Sequence, residues 1–152
     1  MKIKSARFGE IEVSSDNTWT FVAPILGFEN LKTFIHLTQT EGPFEFIQSA
    51  EDEHLAFVIA DPFQFDAGYE FSLEQRWLDV LHIQKEEQVF VRSIVTARSS
   101  TDITMNLKAP IVMNLETKEA AQIILDRPEF NTRHSILNVN EREVSHVDPI
   151  EK

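Results

Sequence analysis

One stretch constrains this chain more than any other: ITMNLKAPIVMNL, residues 103–115. Its odd positions, Ile103, Met105, Leu107, Ala109, Ile111, Met113 and Leu115, are all apolar. Its even positions, Thr104, Asn106, Lys108, Pro110, Val112 and Asn114, are mostly polar. Alternation with period two is the pattern of a strand that buries one face. A single strand of this length would span about 43 Å at about 3.3 Å per residue, too long for a small domain. Proline locks φ, donates no ladder hydrogen bond and pushes the residue before it toward extended backbone. The pattern therefore predicts two strands, about 102–107 and 110–115, joined by a bend at Ala109–Pro110 that keeps one apolar face inward. Nothing in the periodicity itself is catalytic.

The rest of the chain reads in the same way. Strands are expected at 1–7, from Ile11 to Val13, at 33–38 and at 43–49. Residues 54–60, HLAFVIA, are nearly all apolar and predict a strand covered on both faces. Residues 61–69, DPFQFDAGY, read as a loop rich in aromatics, and 50–53, AEDE, as a polar turn. Residues 72–83 are the best helix candidate: Ser72 and Gln75 have capping-box spacing, and Leu73, Trp77, Leu78 and Leu81 share a face. A strand returns at 89–97, and 116–125 is ambiguous between helix and strand. From about residue 138 the apolar pattern is lost, which predicts a loosely held polar tail at 138–152 behind a single domain at 1–137. Closely spaced strands with one or two brief helices predict an all-β, mainly antiparallel sandwich or barrel.

Composition narrows the function. There is no cysteine, hence no disulfide framework or thiolate metal site. Neither a signal-peptide h-region nor an apolar run of membrane-spanning length is present. A soluble, cytoplasmic protein is expected. Net charge is −11, and its location matters more than its size. Residues 41–87 hold twelve acids and only two bases, Arg76 and Lys85, so they carry −10 of the total. Such a field repels nucleic acid and can steer a basic partner, although acidic surfaces also serve solubility alone.

Catalytic signatures are missing. The histidines at 36, 54, 82, 134 and 146 have no metal-binding spacing. There is no phosphate-binding glycine loop, no nucleophile elbow and no cysteine nucleophile. Carboxylates are so abundant that no pair stands out for acid–base work. No cofactor, metal or catalytic residue is assigned. A binding module is the class that survives. The other reading is a small β-barrel enzyme or metal-dependent binder whose site assembles only in space.

Several stretches taken together, PILGFENLKTFIHL, PFEFIQSAEDEHLAFVIADPFQF and ITMNLKAPIVMNLETKEAAQIIL, resemble the FliW family of flagellar assembly factors. The resemblance covers roughly residues 3–137. It implies a bacterial cytoplasmic protein with a compact β-barrel-like fold, and it turns 116–125 toward strand. It also implies two protein partners. One is flagellin; the other is CsrA, a small dimeric RNA-binding translational repressor whose basic character suits an acidic face. No direct nucleic-acid or membrane contact is implied. The family pattern is matched at Asn106, Leu107, Ala109, Pro110 and Asn114, whose chemistry is architectural: an asparagine amide can bond backbone that a bend leaves unpaired. Partner contact is expected instead between 51 and 70. There Phe63, Phe65 and Tyr69 are ringed in sequence by Glu51, Asp52, Glu53, Asp61, Asp66 and Glu70, as aromatic anchors within a charged rim. Core packing of each aromatic, and plain solvation of each acid, are the alternatives.

Overall fold

The computed structural model describes residues 1–38 and 42–136. The expectation of a loose tail at 138–152 lies outside the described residues. A hairpin of β1 (Lys2–Ser5) and β2 (Gly9–Glu12) opens the chain. β3 (Thr18–Ala23), β4 (Thr33–Thr38), β5 (Phe44–Ser49) and β6 (Ala56–Ala60) follow, then α1 (Pro62–Phe65) and α2 (Gln75–Val80). The chain continues through β7 (Val89–Ser99), β8 (Asp102–Met105), β9 (Ile111–Asn114), β10 (Glu119–Gln122) and β11 (His134–Ser135). The sheet runs β7-β6-β5-β4-β3-β10-β9, and β9 pairs back onto β7, closing it on itself. Every pairing is antiparallel except that of β10 with β3.

Strand alternation sorts the apolar side chains into two cores. One collects Trp19 and Phe21 of β3, Phe34 of β4, Ile47 of β5, Ile59 of β6, Ile111 and Met113 of β9 and Ala120 of β10, with Phe90 and Ile94 of β7 packed on it. It draws on every strand of the closed ring, so it is the ring's interior. The intervening residues, Ala60, Val91, Val95, Val112 and Ala121, face the other way into a second core. That outer core is roofed by Phe65, Tyr69, Leu81, Ile83, Leu125 and Ile136 from the helices and connecting segments. On the far side the N-terminal hairpin covers the sheet. Ser5 Oγ donates to Gln48 Oε1 at 2.7 Å, and Phe8 packs edge-on to Phe46.

The bend at 103–115 follows from this closure. β7 is long enough to pair with β9 through Val89–Arg92 and with β8 through Val95–Ser99. Between the two registers, residues 106–110 stand opposite only Ser93 and Ile94. The surplus residues loop out, and the N–H groups of 106–109 and the carbonyls of 107–110 all find partners, as a buried loop requires. Asn106 Oδ1 accepts from the N–H groups of Lys108 and Ala109. The carbonyls of Leu107, Lys108, Ala109 and Pro110 accept from Tyr69 Oη, Leu125 N, Gln122 Nε2 and Ile123 N. Proline fits here because its missing N–H is not called upon.

Several expectations are corrected. The strict one-face alternation of 103–115 does not hold: Thr104, Pro110, Val112 and Asn114 are buried, and Leu115 is 37% exposed. β9 is covered on both faces because the outer core roofs its second face. The strands are also shorter than expected, β8 ending at Met105 and β9 running from Ile111 to Asn114. Residues 61–69 are not all loop, since Asp61 caps α1 by accepting from Phe63 N, with Pro62 at the first helical position. The helix expected over 72–83 is confined to Gln75–Val80, and Ser72 does not cap it. Phe71 and Leu73 both pack on the outer core, and that spacing of two holds the backbone extended where the helix would have begun. Residues 119–122 are strand, against their alanine-rich local preference. Among the described residues no helix is long and apolar enough to cross a membrane.

Candidate functional site

The acidic run between 51 and 70 is divided by β6, whose five residues carry the chain about 16 Å at about 3.3 Å each. The turn at 50–53 sits at one end. Ser49 Oγ accepts from the N–H groups of Glu51 and Asp52, and Gln48 Nε2 donates to the Asp52 carbonyl. The Glu51 carboxylate is engaged by the N–H groups of Lys32 and Thr33, so its charge helps to hold the segment before β4. Asp52 Oδ1 accepts from His54 N, and Glu53 pairs with the His54 ring at the surface.

At the other end of β6 lie Asp61, Phe63, Phe65, Asp66, Tyr69 and Glu70. The three aromatics do not share a role. Phe65 is 9% and Tyr69 3% exposed, both within the outer core, so neither is open to a partner. Tyr69 donates its hydroxyl to the Leu107 carbonyl at 2.8 Å and packs against Phe71 and Phe130. Burial, with the Asp66 charge behind it, pushes the Tyr69 hydroxyl pKa upward, so it remains a donor. Phe63 is 45% exposed and rests against the Tyr69 ring at 5.5 Å. Asp66 Oδ1 accepts from Gly68 N, while Glu70 is exposed.

Beside Phe63 opens a groove of about 820 Å³. Phe63, Phe71, Leu73, Leu78, Val89 and Phe90 supply its apolar surface. Asp61, Glu70 and Glu86 contribute carboxylates, and Lys85 and Arg92 are its cations. Arg92 is already matched: its Nε and a terminal nitrogen donate to the two oxygens of Glu45 at 3.0 and 3.1 Å. The His36 ring also meets Glu45 at 2.8 Å and lies against Trp19. This cluster escaped the sequence reading, yet parity places it. His36, Glu45 and Arg92 each stand two residues from an interior side chain, Phe34, Ile47 and Phe90.

Burial alone would raise the Glu45 carboxyl, but the His36 and Arg92 hydrogen bonds and charges outweigh it and hold its pKa down at about 2. A depressed carboxylate stabilises the fold above its ordinary value of 4.5 and loses that contribution as pH falls toward 2. Urea midpoints measured across this range are expected to fall more steeply for wild type than for Glu45→Gln. The variant should also be less stable at neutral pH, because Arg92 then lacks its counter-charge. Parallel pH profiles would contradict the pairing.

Among the described residues no three histidine, aspartate or glutamate side chains converge as metal ligands. Leu107, Ala109, Pro110 and Asn114 are buried and Asn106 is half-buried, and none of the five lines the groove. The Asn114 side chain is wholly buried, its Nδ2 donating to the Leu81 and His82 carbonyls and its Oδ1 accepting from Glu116 and Thr117.

The chain matches the model of the FliW protein family over residues 2–136. It is 41% identical over 138 residues to the flagellar assembly factor FliW of Desulfitobacterium hafniense, covering 90% of this chain and 91% of that protein. Against its counterpart in Ruminiclostridium cellulolyticum it is 36% identical over 141 residues, covering 91% of this chain and 95% of the other. A crystal structure of a flagellar assembly factor FliW superposes with a TM-score of 0.82 at 35% identity, covering 90% of this chain and 96% of that one.

Proposed function

Because this chain belongs to the FliW family of flagellar assembly factors, we propose that it works in the cytoplasm as a partner switch between CsrA and flagellin. It holds CsrA away from flagellin message. Newly made flagellin binds the protein and frees CsrA to repress, and export of flagellin returns the protein to CsrA. Its relatives are assembly factors rather than enzymes, and this role needs no chemistry.

The distribution of charge is the observation that supports this reading. Residues 61–87 hold seven carboxylates against Arg76 and Lys85, and Glu70, Glu74, Asp79, Glu86 and Glu87 are exposed. A field of that sign draws in a basic protein and repels nucleic acid, which suits control of a message through a protein. The first test is to mix the purified protein with CsrA and, separately, with flagellin, and to resolve the mixtures by size-exclusion chromatography. A complex is expected with each. Association with CsrA should slow as ionic strength rises, because salt screens beyond about 8 Å at physiological strength. Separate elution of all components at micromolar concentration would contradict the reading.

A further inference from the structure

We propose that the groove between α1, α2 and β7 is the surface that grips the basic partner; this rests on the reading above that the chain binds CsrA. The two acidic ends of β6 are chemically unlike. The 50–53 end has charge but no apolar anchor: no large apolar side chain is exposed from 50 to 58 among the described residues, and Glu51 is spent on backbone. The groove end has both. Phe63 leaves nearly half of a large ring in water beside further apolar wall, an arrangement that marks an interaction surface more than a folding need.

The charges select the occupant. Arg92 is neutralised by Glu45, and Lys85 stands alone against Asp61, Glu70 and Glu86. The groove therefore takes a segment that presents a few apolar side chains flanked by lysine or arginine, and it disfavours an acidic segment. An apolar anchor within a charged rim is also the anatomy of a binding hot spot, where the rim sets encounter rate and the centre sets residence. The acidic turn at 50–53 then contributes only long-range attraction.

The experiment measures CsrA binding and association kinetics for four variants whose melting curves show them folded. These are Phe63→Ala, the pair Glu70→Lys and Glu86→Lys, the pair Asp52→Lys and Glu53→Lys, and the pair Glu10→Lys and Asp16→Lys as an equal charge change outside the groove. Phe63→Ala is expected to weaken binding about tenfold or more, chiefly through faster dissociation. The groove-rim pair should associate several-fold more slowly with a flatter salt dependence, roughly as rim charges act elsewhere. The 10/16 pair should bind like wild type. Groove variants that bind like wild type, or a loss confined to the 52/53 pair, overturn the inference while leaving the partner reading intact. Wild type that binds no CsrA overturns both.

Discussion

Asn114→Ala is expected to lower the stability of the fold by about 2–4 kcal/mol, since each buried group left without a partner costs about 1–3 kcal/mol. The asparagine side chain bonds four backbone groups. It satisfies the carbonyls of Leu81 and His82 where α2 ends, and the N–H groups of Glu116 and Thr117 where the turn into β10 begins. Both neighbouring segments carry left-handed backbone, with His82 at φ 57° and Lys118 at φ 64°, which these bonds help to hold. The melting temperature should fall by roughly 5–15 °C, at about 2–4 °C per kcal/mol for a domain of this size. Asn106→Ala should cost less, about 1 kcal/mol, because Asn106 is itself half-buried and bonds two backbone N–H groups, of Lys108 and Ala109, rather than four groups. Protein that stays folded should bind CsrA as wild type does. A melting temperature left unchanged, with CsrA binding lost, would move these asparagines from the framework to the interface.

How far the fold could be read from residues depended on what each residue answers to. The strands at 33–38 and 44–49 lie where the residues predict them although neither alternates in burial: one face meets the ring interior, and on the other Ile35, Phe46 and Gln48 are buried as well, the last two beneath the N-terminal hairpin. β9 broke its alternation because its second face is roofed by segments distant in sequence, among them Tyr69, Leu81 and Leu125, which no local pattern announces. β10 is strand because β3 and β9 flank it, a tertiary demand that outweighs the helix preference of its alanines. At the site, the Asp61–Pro62 pair carried a legible helix start, and the spacing of Phe71 and Leu73 a legible extended segment. The splitting of the acidic patch across β6, and the burial of Phe65 and Tyr69 beside an exposed Phe63, depend on the assembled fold.

The second large effect concerns the switch itself. If flagellin and CsrA oppose each other on this protein, flagellin added to a preformed complex must release CsrA. Thermodynamic linkage then requires CsrA to weaken flagellin binding by the same factor, whether or not the two surfaces overlap. To move the protein from one partner almost wholly to the other takes a differential affinity on the order of 10⁴. A coupling of that size is expected to show as near-complete displacement at modest excess. Acid on the groove rim makes the two arms separable. Glu70→Lys with Glu86→Lys should weaken the CsrA arm, so that less flagellin is needed for half-release.

The most direct test is a titration of flagellin into a complex of this protein with fluorescently labelled CsrA, followed by anisotropy, with the reverse titration on labelled flagellin. Partner switching predicts that anisotropy falls to the value of free CsrA, and that both titrations return one coupling factor. A stable ternary complex, with each partner's affinity unchanged by the other, would contradict it.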